Sequence, residues 1–137
     1  IGCNTRKYHG LLVVPQPQLD NYNHVLLSSI DETVIANKEE FHFGVHQYED
    51  GTIMPSGHKY LREFSAEPIP TLLYRVGTTK ITKEYIFADN DSRIYIRYNV
   101  IEAAQPITLR LTPFLAFRNV HSLTHENHDA NRKYVPL

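Results

Sequence analysis

The sequence predicts an all-β protein, an antiparallel β-sandwich of about eight or nine strands. Short segments alternate apolar with polar side chains, as strands with one face in water do. Turn-forming Gly, Pro, Asn and Asp separate these segments at fairly regular spacing, and no convincing amphipathic helix interrupts them. Together these patterns favour two packed sheets over a helical or mixed fold.

In the first half of the chain, apolar segments are divided by Pro15 and by a turn at residues 37–39. The first strand is expected to end before Pro15. The turn predicts a hairpin, in which Phe41 and Phe43 share one face. Residues 46–58 are rich in turn formers and predict a loop. The strands predicted here are Leu11–Val14, His24–Ile30, Glu32–Ala36, Glu40–Val45 and Tyr60–Ser65.

In the second half, the alternation is cleaner. Ile81, Lys83, Tyr85 and Phe87 are expected to share one face of their strand. Pro113 is expected to end the last strand or to place it at an edge or bulge. The strands predicted here are Thr71–Val76, Lys80–Phe87, Arg93–Ile101 and Pro106–Thr112.

Length and charge limit the possible functions. The 137 residues are enough for a single domain, 1–137, with its own core. A net charge of −1 with interspersed acids and bases argues against a nucleic-acid or anionic-membrane surface. Cys3 is the only cysteine, so no internal disulfide can form and nothing indicates an oxidising compartment. We expect a cytoplasmic location and a fragment that lacks parts at both ends.

The segment Asn4–Val14 joins a polar loop to an apolar strand. Arg6 offers five hydrogen-bond donors, Tyr8 an aromatic ring with a hydroxyl, and His9 a titratable ring. A donor-rich loop at the tip of a strand can present a binding site. The same side chains could equally be structural, with Arg6 paired to a carboxylate and His9 bonded to a carbonyl. Both interpretations remain open at this point.

The tail of the chain is polar and rich in histidine. Residues 118–137 are expected to be loop or disordered. On a helix, His121, His125 and His128 would share a face and could hold zinc, which is kept as an alternative. The preferred interpretation has no metal and no cofactor. No other spacing selects catalytic residues, and Glu32 and Glu84 are expected to be solvated strand or turn charges.

Four segments carry a resemblance to a known family. Asn4–Val13 closely resembles the opening signature of the N-terminal domain of bacterial and archaeal glycogen debranching enzymes of the amylo-α-1,6-glucosidase type. His24–Glu32, Phe64–Tyr74 and Pro113–Leu123 are similar to later landmarks of that domain and occur in the same order. The first and last segments are the more specific ones.

The resemblance implies a supersandwich-like β-sandwich that precedes a helical (α/α)6 barrel in the same polypeptide. The barrel would supply the acid and base carboxylates that hydrolyse α-1,6 branch points, so this domain would have no catalytic residues and would be inactive alone. It would help to bind α-glucan and complete the mouth of the barrel's active site. The residues expected to converge there, touching either substrate or only the barrel, are Arg6, Tyr8, His9, Arg118 and His121.

A second hypothesis is a stand-alone sandwich without a catalytic partner. Such a module would bind carbohydrate or another protein. Exposed edge strands could also pair two copies into a homodimer.

Overall fold

The computed structural model describes residues 7–48, 50–88, 91–123, 128, 129 and 133, and these residues form two antiparallel four-stranded sheets. The predicted antiparallel sandwich is therefore confirmed. A 3₁₀ turn at Gly57–Tyr60 is the only helical element of the described residues, and none of them forms a helix able to span a membrane. The strands are β1 (Leu12–Pro15), β2 (Asn23–Ala36), β3 (Glu39–His42), β4 (Leu61–Ser65), β5 (Thr71–Val76), β6 (Thr79–Phe87), β7 (Ile94–Glu102) and β8 (Thr108–Asn119).

The 14-residue strand β2 organises the first sheet. It pairs with β8 along one side, and with β1 and then β3 along the other. The prediction of two separate strands here was wrong, because the polar residue Asp31 continues the strand instead of ending it. The β2–β3 hairpin is confirmed. Its turn has positive φ at Asn37 (51°) and Lys38 (67°), as two-residue hairpin turns favour.

The second sheet has the order β4-β5-β6-β7. Strand β5 has the bounds predicted for it, and β6 begins one residue earlier than predicted. Ile81 and Lys83 of β6 are 2% and 5% exposed, so this part of the face that they were predicted to share lies against the core, whereas Phe87 at the end of the strand is 63% exposed.

The apolar core lies where the sheets meet. The Phe43 ring stacks on Tyr74 with centroids 4.5 Å apart and planes 9° from parallel. Gly57 passes so close that an added Cβ would lie 2.0 Å from the Phe43 carbonyl oxygen. The buried core residues are Val34, Phe43, Leu72, Tyr74, Val76 and Ile81.

A buried ion pair also links the two sheets. Glu32 of β2 is 3% exposed and bonds to the Lys83 ammonium, and the Tyr98 hydroxyl donates to Glu32 Oε1 at 2.6 Å. The expectation that Glu32 is a solvated charge was wrong. Glu84 is also paired, with Arg97, and its side chain is 16% exposed. A carboxylate among apolar strands needs such partners because burial of an unpaired charge is costly.

Strand β8 departs from the prediction at its end. It continues through Pro113, which lies opposite Ile30, and reaches Asn119. In the described part of the chain β8 pairs with β2 alone, so the expected edge placement is correct. An edge strand tolerates a proline because it needs fewer backbone donors. Arg118 and Asn119 are therefore strand residues, where a loop was expected.

Candidate functional site

Residues from three distant segments meet at one end of the first sheet. The backbone N–H of Leu11 donates to the Leu27 carbonyl at 2.8 Å, which fixes the N-terminal segment beside β2. On the other side of β2, Val25 lies opposite Arg118. The N-terminal segment and the end of β8 are therefore both fixed beside the start of β2. We call the assembled residues the edge cluster: Tyr8, His9, Tyr22, Arg118 and His121.

Three exposed rings form the outer surface of the edge cluster. The His121 ring is edge-to-face with Tyr8 at 5.7 Å and 83°, and with Tyr22 at 5.8 Å and 89°. The Tyr8 hydroxyl lies 3.4 Å from His121 Nδ1. Tyr8 and Tyr22 are 62% and 56% exposed. The rings are thus held in defined mutual orientation while more than half of the Tyr8 and Tyr22 surface stays exposed to solvent.

Arg118 lies buried below this surface and bonds to the backbone segments that carry the rings. It is 8% exposed, and its Nη1 donates to the Ser122 carbonyl at 3.0 Å. Its Nη2 donates to the His9 carbonyl at 3.5 Å. One guanidinium therefore ties the segment that carries Tyr8 to the turn that carries His121. The contacts described for Arg118 are positioning contacts within the protein.

Asp20 fixes the loop that carries Tyr22. Its carboxylate accepts hydrogen bonds from the Tyr22 backbone N–H and from Asn119 Nδ2, each at 3.0 Å. These bonds lower the pKa of Asp20, with the Tyr22 contribution the larger. Asn119 Oδ1 in turn accepts from the His121 N–H at 2.9 Å. Residue Asn119 therefore links the two loops that flank the aromatic rings.

Four of the five residues predicted to converge are brought together here. Tyr8 contacts His121, and Arg118 contacts the backbone of His9. The fifth, Arg6, lies outside the described residues. Sequence reasoning missed Tyr22, because it belongs to a turn between strands and no motif marks it.

The alternative zinc site cannot be described as a unit, because His125 lies outside the described residues. Among the residues that are described, no group of three His, Cys, Asp or Glu side chains could hold a metal ion.

The family model for the glycogen debranching enzyme N-terminal domain matches residues 1–136. The chain belongs to this family. No curated protein and no solved structure gave a significant match. In this debranching-enzyme N-terminal domain, every edge-cluster residue except Tyr22 belongs to one of the two segments whose resemblance was more specific, Asn4–Val13 and Pro113–Leu123.

Proposed function

We propose that this N-terminal domain binds α-glucan at the edge cluster and so helps a debranching enzyme to engage its substrate. In the full-length polypeptide the cluster would border the active site of a following (α/α)6 barrel, which hydrolyses the α-1,6 branch points. The observation that carries the proposal is the His121 ring set between two exposed tyrosines, in a chain of this family.

The chemistry of the edge cluster suits a neutral sugar. Sugar rings pack their apolar faces on aromatic rings, and Tyr8 and Tyr22 offer exposed ring surface. Sugar hydroxyls need both donors and acceptors, which the tyrosine hydroxyls and the His121 imidazole supply. Because the buried Arg118 fixes the backbone beside these groups, less entropy is lost when they are ordered on binding. The domain would contribute binding and positioning, while the barrel carries the acid and base.

The experiment is a kinetic comparison of variants of the full-length polypeptide on a branched glucan. Tyr8→Ala and His121→Ala should each raise KM by about five- to tenfold, or ~1–1.4 kcal/mol, and leave kcat little changed. Tyr95→Ala is the matched control, because Tyr95 is similarly exposed (52%) but lies on β7 of the other sheet. If the Tyr8 and His121 variants behave like the control, the edge cluster does not bind substrate.

Exposed apolar side chains on β8 favour a second candidate role, in which the edge of β8 that no described strand covers pairs with a second copy of the chain. Leu115 and Phe117 are 62% and 69% exposed, and an unpaired edge strand of this kind tends to associate. The 137-residue chain would then sediment as a dimer, and Leu115→Glu would make it a monomer. A wild-type chain that remains monomeric at high concentration would eliminate this role.

A further inference from the structure

A cleft with both apolar and polar walls opens between the two sheets. It consists of an inner cavity of about 200 Å³ and an outer one of about 490 Å³. Ser28, Ser29 and Asp31 of β2 line both cavities, so the two adjoin along this strand and are together called the cleft. None of the edge-cluster residues lines it.

The inner cavity is lined by the buried Glu32–Lys83 pair. Burial alone would lower the pKa of Lys83, but the neighbouring Glu32 and Tyr85 raise it above its usual value, so the ammonium stays charged. The ammonium lies 5.0 Å from the centroid of the Tyr85 ring, which also lines the cavity. The inner wall thus presents an ion pair whose charges cancel, beside an aromatic ring.

The outer cavity also has a carboxylate bonded to a basic side chain beside an aromatic ring. His46 Nε2 lies 2.6 Å from Asp31 Oδ2, and the His46 ring lies 5.4 Å from the Phe114 ring. Gly44 leaves room for the carboxylate, because a Cβ there would lie 2.6 Å from Asp31 Oδ2. A carboxylate bonded to a basic side chain, an aromatic ring and the two serines therefore line both cavities.

We propose that this cleft is a second binding site, for a neutral, hydroxyl-rich molecule the size of one sugar ring. The carboxylates are already paired, so the cleft has no surplus positive charge to attract phosphate or another anion. Each carboxylate keeps lone pairs that can accept from ligand hydroxyls, and the serines both donate and accept. The inner volume equals roughly six or seven waters at about 30 Å³ each, which limits the occupant to one ring.

The site is independent of glucan binding at the edge cluster, and its test separates the two. Glucose is titrated into the ¹⁵N-labelled 137-residue chain, and backbone amide shifts are followed. Saturable shifts at residues 28–32, 44–46 and 83, with a millimolar Kd, are expected. Inorganic phosphate should not displace glucose. If no saturable shift occurs at these amides, or if phosphate competes, the proposal is wrong.

Three variants test whether glucose binds in the cleft or at the edge cluster. Ser29→Leu fills the cleft and should weaken glucose binding at least tenfold. The control Thr112→Leu makes the same kind of change at an exposed β8 position opposite Asp31 and should leave binding unchanged. Tyr8→Ala should also leave it unchanged. If Tyr8→Ala abolishes binding while Ser29→Leu does not, glucose occupies the edge cluster; the cleft proposal then fails and the proposed function stands.

A second pair of variants tests the proposal even if Ser29→Leu does not fold. His46→Gln removes the imidazole that bonds to Asp31, whereas His42→Gln changes a histidine that is bonded to Thr33 and does not line the cleft. His46→Gln should weaken glucose binding severalfold and His42→Gln should not. Equal binding by these two variants would overturn the proposal.

Discussion

Replacement of Lys83 by methionine is expected to destabilise the domain by leaving Glu32 without its cation. The two side chains are 6% and 4% exposed, so water cannot take the place of the lost ammonium. Removal of one partner from a buried pair costs about 3–5 kcal/mol. The Tyr98 hydroxyl remains bonded to Glu32 Oε1 at 2.6 Å and compensates part of the loss. We therefore expect the lower end, a loss of about 3 kcal/mol.

The assay is urea unfolding of the 137-residue chain, followed by far-UV circular dichroism and analysed by linear extrapolation. Lys80→Met is the matched control on the same strand. Lys80 pairs with Glu102, but these side chains are 38% and 54% exposed and remain hydrated when the pair is broken. The control should lose far less stability than Lys83→Met.

A double variant tests the cause. When Glu32→Leu is combined with Lys83→Met, no charge remains unpaired, and the loss should shrink to about 1–3 kcal/mol from the unpaired Tyr98 hydroxyl. Two results would refute the reasoning: a Lys83→Met chain as stable as Lys80→Met, or a double variant less stable than the single one.

Three further predictions concern packing in the core and the titration of the buried Tyr98 and Lys83 side chains. Phe43→Ala should cost about 3–5 kcal/mol, whereas Phe117→Ala, at a 69% exposed position, should change the unfolding free energy by under about 0.5 kcal/mol. Gly57→Ala should prevent stable folding, seen as lost circular dichroism, because backbone atoms occupy the space for its Cβ. The pKa values of Tyr98 and Lys83 are raised by folding, Tyr98 mainly by burial, so the contribution of these two groups to stability should be fully present below pH 10.0 and be lost at higher pH in urea titrations.

The sequence predicted the second sheet better than the first, for a physical reason. In β5 to β7 the side chains alternate strictly, so Ile81 and Lys83 share a face. In β2 the pattern is interrupted by Asp31, which in isolation resembles a turn residue. The carboxylate lies within the strand because His46, 15 residues away, bonds to it at 2.6 Å. A local pattern cannot reveal a partner so distant in the chain.

The position of Lys83 within its strand indicated the buried ion pair, whereas the composition of the chain did not. Lys83 was placed on the same face as Ile81 and Tyr85, and a lysine on a core face needs a buried anion. Glu32 stands directly before Thr33 and Val34, both buried in β2. The pairing itself joins residues 51 positions apart on different sheets, and only the packing of those sheets could identify it.

Strand β2 also explains how the edge cluster and the cleft can coexist. In a regular strand, neighbours such as Ser28 and Ser29 point to opposite faces. The β2–β8 pairing shifts register between Val25 and Leu27 and again between Leu27 and Ser29. Such irregularities bend a strand and re-aim its side chains, and they fall beside Ser28 and Ser29, which both line the cleft. The edge cluster adjoins the start of β2, near Val25, whereas the cleft lies further along it, at residues 28–32, so the two sites share no residue.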